Sequence, residues 1–261
     1  MRTILIGSTT IYAKKRYLDN MFIKRLYSRI KEMYNRSSNE RYIKYLRKKG
    51  VVIGKGVRFL YPAATTIDTT RPSLVKIGNN CFFNKNFTLL THDWVTHVFI
   101  HAGLDFLPSS GRVLIGNNVS FGYNVMVLKG VTIGDNVFIG ANSLVSKDIP
   151  SNCVATGTPC KVIYSLEDYY AKRVNDSEIE ALEYAKSIQE RFGRIPVMSD
   201  FREEFPLFLD GEKVKEYPDF IPVVRHQLGP MYDNYVKSHH AKYKGLDSFL
   251  NAAGVDFPKD E

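Results

Sequence analysis

A six-residue rhythm runs from Val113 to Pro150, and a fixed short period of this kind commits a chain to stacked, near-identical structural units. The sixes read Ile115-Gly-Asn-Asn-Val-Ser, Phe121-Gly-Tyr-Asn-Val-Met, Val127-Leu-Lys-Gly-Val-Thr, Ile133-Gly-Asp-Asn-Val-Phe, Ile139-Gly-Ala-Asn-Ser-Leu and Val145-Ser-Lys-Asp-Ile-Pro. An earlier array keeps the same grammar in Ile77-Gly-Asn-Asn-Cys-Phe, Phe83-Asn-Lys-Asn-Phe-Thr and Leu89-Leu-Thr-His, with Ile53-Gly-Lys-Gly-Val-Arg upstream. Each six holds one short strand and one tight turn, and turns this frequent need Gly and Asn, which tolerate positive φ. The first and fifth positions then point inward. A single coil cannot bury its own apolar face, so neighbours stack around a shared core. The pattern predicts a repeat domain over residues 51–164, broken by an irregular stretch at 61–72 and a long insertion at 93–112.

Composition narrows the remaining choices. With 261 residues and 44% hydrophobic content, the chain has material for one large domain or two modest ones. No apolar run approaches the roughly 18 residues of a membrane span, and the opening Met1 to Gly7 is too short for a signal-peptide core, so cytoplasmic residence is expected. Cys81, Cys153 and Cys160 make an odd set without metal-ligand spacing, which argues against a disulfide framework; Cys81 falls at an inward repeat position and reads as a small core residue.

The net charge of +9 is lopsided: residues 1–50 carry 14 Lys or Arg against 3 Asp or Glu, and residues 51–261 carry 22 against 24. Phe22, Leu26 and Ile30 share one face of an expected helix whose other faces bear Lys24, Arg25, Arg29 and Lys31. That segment suits a solvated helix packed on the repeats, or peripheral contact with an anionic membrane surface; no recognition motif for nucleic acid accompanies it. A second N-terminal helix is expected to open on the capping box Ser37-x-x-Glu40 and to close at Gly50. Beyond the repeats, Ser165-x-x-Asp168 is expected to start one helix and Asp176 another, in a helical extension over 165–261 whose tail, with a short helix over 247–253, is rich in core-forming aromatics.

Thr91-His92-Asp93-Trp94 lies where the first array gives way to the insertion, placing an imidazole at the edge of a rigid scaffold beside a loop. A lone histidine commonly does no more than satisfy a core hydrogen bond. The two arrays, the histidine before an insertion, and a closing run from Lys147-Asp148-Ile149-Pro150 to Gly157-Thr158-Pro159-Cys160-Lys161-Val162-Ile163 together resemble the hexapeptide-repeat acyltransferases. The element Ile67-Asp68 to Arg71-Pro72, followed by Thr91-His92-Asp93, is similar to the subgroup that O-acetylates sugars of bacterial surface polysaccharides.

That resemblance implies a mainly β fold, a left-handed parallel β-helix with helical extensions at both ends, assembled as a homotrimer with sites between subunits. It implies acetyl-CoA as acyl donor and no metal, with His92 as the general base for an acceptor hydroxyl that attacks the thioester directly. It places the oxyanion donor at the Tyr123 backbone N–H, pantetheine contacts at Ala141 and Ser146, and nucleotide phosphates near Lys147 and Lys161, although Tyr164 stands where some relatives have a second arginine. Acceptor contacts are expected from Asp68, Arg71, Asp93 and Trp94. The residues leave other readings open: N-acetylation of an amino sugar, a scaffold without activity, or a metal enzyme like the γ-type carbonic anhydrases. The last uses the five-residue offset of His92 and His97 but lacks a histidine within residues 51–88 as third ligand, leaving His101 as the nearby substitute.

Overall fold

The computed structural model describes residues 26–257. The expected basic helix is seen only from residue 26, and its earlier part, with Phe22, Lys24 and Arg25, lies outside the described residues. The chain forms two compact units, Met1–Tyr169 and Tyr170–Glu261.

In the first unit the chain visits three sheets in rotation. Sheet 1 takes β1 (Val52–Ile53), β4 (Val75–Ile77), β7 (Val113–Ile115) and β10 (Thr132–Ile133); sheet 3 takes β3 (Thr66–Ile67), β6 (Thr88–Leu89), β9 (Met126–Val127) and β12 (Leu144–Val145). Sheet 2 takes β2 (Arg58–Phe59), β5 (Phe82–Phe83), β8 (Val119–Phe121), β11 (Val137–Ile139) and β13 (Cys153–Thr156), and is closed by β14 (Lys161–Ser165). Successive strands of each sheet pair in parallel, and β14 alone runs antiparallel, against β13. These sheets fit a parallel β-helix of the left-handed kind.

The six-residue grammar is visible atom by atom. First and fifth positions are buried, from Ile53 and Val57 through Ile133 and Val137. The polar exception, Ser143, donates to Gly140 O at 2.7 Å and accepts from Gly157 N at 3.1 Å, so burial leaves its hydroxyl satisfied. Fourth positions carry the turn. Asn80, Asn86, Asn118, Asn124, Asn136 and Asn142 have φ between 54° and 62°, and Gly56 and Gly130 stand in the same place. The asparagine side chains bond to one another coil over coil, as in Asn86 to Asn124 (2.8 Å) and Asn124 to Asn142 (2.9 Å). At second positions the coils touch: a Cβ on Gly78 would lie 2.3 Å from Gly116 O.

Phe59, Phe83 and Phe121 form an aromatic column in the core, with ring centroids 4.6 and 4.9 Å apart. Phe83 is wholly buried between its two neighbours, so Phe83→Ala is expected to lower unfolding free energy by about 3–5 kcal/mol, read from the midpoint of urea denaturation.

Residues 26–35 are helical, and α1 (Asn39–Lys49) follows. The cap of α1 is Ser38 rather than Ser37: the Ser38 hydroxyl accepts from Arg41 N, while Ser37 accepts from the Arg41 guanidinium and donates to Tyr34 O. Gly50 ends the helix at φ 109°, as its sequence position predicts. Tyr42 and Leu46 of α1 belong to the repeat core, with the Tyr42 ring edge-on to Phe59 at 5.1 Å.

The second unit has its own core, in which Ala181, Ala185 and Ile188 of α3 (Leu166–Phe192) meet Phe201, Phe205, Phe208 and Phe249. The expected second helix start at Asp176 is corrected. Asp176 pairs with Lys172 one turn earlier (2.7 Å) and so supports one continuous helix instead of capping a new one. The mainly β description is corrected as well. Each side of a coil gives two to four residues of strand, whereas the extensions are built from helices, so the chain is mixed α and β.

Candidate active site

Sheet 3 hands over to sheet 1 at a corner that the coils stack above one another, and the unusual residues of the chain collect there. The first coil contributes Asp68, Thr70 and Arg71 after β3; the second contributes Thr91, His92 and the insertion after β6; the third contributes Lys129 after β9.

His92 Nδ1 lies 2.7 Å from Asp68 Oδ2 and 3.5 Å from Thr70 Oγ1. An ionised carboxylate accepts only, so the imidazole proton belongs on Nδ1 and the Nε2 lone pair is left free. Asp68 is itself held from several sides. Its Oδ2 receives the Thr91 N–H (3.0 Å) and the Thr91 hydroxyl, and its Oδ1 receives the Thr70 N–H (2.9 Å) and hydroxyl (2.7 Å). Burial pushes the Asp68 carboxyl upward, but the hydrogen bonds from Thr91 and Thr70 outweigh it and hold the group well below the usual carboxylate range. A depressed folded pKa keeps Asp68 anionic throughout the neutral range; the stabilisation it gives is present above the ordinary carboxylate pKa and is lost only as pH falls through the folded value. The side chain of Asp68 is 6% exposed, against 19% for His92.

The insertion leaves and rejoins the coil through a narrow neck, where His92 pairs with Ser110 in an antiparallel bridge and Gly111 N donates to Thr91 O at 2.9 Å. Within it, α2 (Val95–His101) is tied down by Thr96, whose buried hydroxyl accepts from Leu107 N. Lys129 of the next coil pins the start of the loop: its ammonium is 2.6 Å from Asp93 Oδ2 and also donates to Ser109. The Lys129 hydrogen bond, with that of Val95 N, draws the Asp93 carboxyl down to about 2.

This ion pair gives a local prediction with a built-in reporter, because Trp94 is the only tryptophan in the chain, is 75% exposed and has its ring 6.3 Å from that of His92. Lys129→Met is expected to raise the accessibility of Trp94 to the neutral quencher acrylamide at neutral pH without changing the thermal midpoint. In the wild type the anchor stands above the ordinary Asp pKa and weakens only as pH falls from 3.8 toward about 2, so the same loosening appears only in that window.

The sequence-derived site residues thus do not all gather in one place. Asp68, Arg71, His92, Asp93 and Trp94 share one corner, where Arg71 Nη1 reaches Thr70 Oγ1 at 3.4 Å. Asp68 was expected to receive acceptor hydroxyls; its oxygens are instead filled by Thr70, Thr91 and His92. Ser146 and Lys147 follow β12 on the same side of the coil, exposed, and Lys161 opens β14, also exposed. Tyr123 and Ala141 lie on a different corner, between sheets 2 and 3, where Tyr123 is 44% exposed beside Tyr61. Lys129, Ser109, Thr70 and Thr91 were not singled out as site residues. Lys129 has a sequence signal, being the one charged residue in its six, one coil after His92.

Comparison with known proteins places the chain. Residues 112–147 match the family model described as bacterial transferase hexapeptide (six repeats). Protein CapG of Staphylococcus aureus is 36% identical over 158 residues, which are 60% of this chain and 88% of that protein. The chain belongs to the hexapeptide-repeat acyltransferases. Other members include a putative acetyltransferase, YvoF, of Bacillus subtilis (31% identical; 52% of this chain, 72% of that one) and a galactoside O-acetyltransferase of Lactococcus lactis (33% identical; 54% and 61%). In this acyltransferase the Asp68–His92 pair and the pinned insertion stand at one end of the first array.

Proposed function

We propose that this acyltransferase moves an acetyl group from acetyl-CoA to a sugar hydroxyl of a bacterial surface polysaccharide or its precursor, with His92 as general base and Asp68 as its positioning residue. The observation that carries the reading is the 2.7 Å contact between His92 Nδ1 and a carboxylate held by four other donors. Such an arrangement fixes one tautomer and points Nε2 outward. The acceptor O–H gives its proton to Nε2 as its oxygen bonds to the acetyl carbonyl carbon. The C–S bond then breaks, and the imidazolium returns the proton to the departing coenzyme A thiolate. Asp68 favours the imidazolium between the two proton transfers. The named activity of the Lactococcus relative supports attack by a hydroxyl.

A single chain does not complete this site. The oxyanion donor assigned to the Tyr123 N–H and the pantetheine contact at Ala141 lie on another corner from His92, so they join it from a neighbouring subunit of a homotrimer wound as a left-handed helix. Ser146, Lys147 and Lys161 complete the donor site, the lysines acting as point charges toward phosphate. Arg71, held beside Thr70, takes a carboxylate or phosphate of the acceptor, and Asp93 and Trp94 form the wall on the side of the insertion.

Calorimetric titration of the protein with acetyl-CoA tests the donor half before any acceptor is known. Binding in the micromolar to submillimolar range, weakened by salt and by Lys161→Ala, is expected. No heat of binding up to millimolar donor would reject it.

A further inference from the structure

Among the described residues, the helical stretch 26–35 stands out because every side chain from Leu26 to Tyr34 is exposed. An amphipathic helix with no covered face is unusual, since most helical stability comes from burying an apolar stripe. Leu26, Ile30 and Met33, at spacing four and three, make such a stripe and are 49%, 57% and 72% exposed. At 100° per residue, Tyr27 and Tyr34 form the next strip around the helix, and Lys31 and Asn35 the one after.

Beyond that strip the helix and α1 enclose an open groove of about 720 Å³, whose cations are Lys31, Arg41, Lys44, Lys48 and Lys49. The acidic side chain among its lining residues, Glu32, lies 3.1 Å from Arg36 Nε, an ion pair at the edge of five cations. Two tyrosine rings lean on cations of the same surface, Tyr34 under Arg41 at 4.4 Å and Tyr27 near Lys31 at 5.9 Å. The surface is anchored to the repeats by Arg36, whose Nη1 donates to Pro62 O (3.3 Å) and Thr65 O (2.5 Å), and by buried Tyr42 and Leu46.

We infer that this face docks the enzyme on an anionic lipid bilayer, with Leu26, Ile30 and Met33 in the acyl boundary, the tyrosines at headgroup level and the groove lysines against lipid phosphates. Charge complementarity argues for an anionic partner. The apolar row beside the charge argues for a bilayer over a dissolved anion, which would neutralise the lysines and leave that row in water. The order apolar, aromatic, cationic around one helix matches the order of a membrane interface with depth. This inference is independent of the acyl-transfer chemistry.

Sedimentation of the full chain with vesicles tests it. The wild type is expected to pellet with phosphatidylglycerol vesicles and not with phosphatidylcholine vesicles at 0.1 M salt, and to be released at 1 M salt, where the screening length falls from about 10 Å to about 3 Å. Lys44→Gln, Lys48→Gln and Lys49→Gln are exposed positions on α1 outside the core, and the triple variant is expected to bind about 100-fold more weakly with unchanged circular dichroism. Ile30→Ser with Met33→Ser should weaken binding at 0.1 M salt although every groove lysine is kept. The inference is overturned by failure to bind phosphatidylglycerol vesicles, by equal binding to neutral vesicles, or by wild-type binding of the triple variant. It is also overturned if Ile30→Ser with Met33→Ser changes the oligomer mass and leaves vesicle binding intact, since the apolar row would then be a contact between copies.

Discussion

His92→Ala is expected to lower kcat by about 10²- to 10⁴-fold while the affinity for acetyl-CoA stays within a factor of two. The size follows from the chemistry, because without a base the acceptor must attack as a neutral alcohol or wait for solvent to take its proton. The fold should not register the change. After truncation Asp68 still receives Thr91 and Thr70, so no buried acceptor loses all its partners, and thermal midpoints of the two proteins should agree closely. Added imidazole should restore part of the turnover, a response that a merely structural histidine would not show.

Asp68→Asn is expected to act on both rate and stability, which distinguishes it from the first variant. An amide has one acceptor oxygen, whereas this position receives hydroxyl or N–H donors from Thr70, Thr91 and His92. Whichever way the amide turns, its NH₂ faces a donor. If it faces His92, the Nδ1 proton is lost to Nε2 and the base is blocked; if it faces a threonine, a buried N–H is left unpaired. The equivalent exchange in serine-protease triads costs about 10⁴ in kcat. Here a fall of about 10² or more is expected, with KM for the donor unmoved and unfolding free energy lower by about 1–3 kcal/mol. Stopped assays and urea denaturation on the same preparation measure the two effects.

What could be read in advance follows from how local each determinant is. Inward positions such as Ile115 and Val119, and turn asparagines such as Asn118 and Asn136, are written in every six, so strands, core and turns were legible from the period. The place of His92 beside the insertion was legible because it sits at a break in that period. The contact of Asp68 with His92 was not, since it joins residues 24 apart across an irregular stretch of the coil, and stacking register through such a stretch cannot be counted in sixes. Lys129 escaped for the same reason, as it meets Asp93 only after the whole insertion has been looped out. The continuity of α3 was masked by Asp176, a residue that caps helices as readily as it pairs along them. Ser38 displaced Ser37 as a cap by a single residue, which sequence spacing resolves poorly.

The separation of His92 from Tyr123 and Ala141 was likewise invisible in sequence, because a six-residue period does not say which of three corners a residue occupies until the coils are traced. On the proposed trimeric reading, a lesion on one corner is expected to be rescued by a partner chain carrying a lesion on the other, measured as activity regained on mixing the two variants.

The account rests on direct transfer from acetyl-CoA to a hydroxyl at His92, and one experiment addresses it most directly. Acetyl-CoA with a radiolabelled acetyl group is incubated with wild-type and His92→Ala protein and a panel of galactosides and bacterial surface glycans, and the label is followed into glycan and protein. The account predicts label in glycan as an alkali-labile ester, little of it with His92→Ala, and none left covalently on the chain. Equal transfer by the two proteins, or label held on the wild-type chain as an acyl-enzyme, would contradict it.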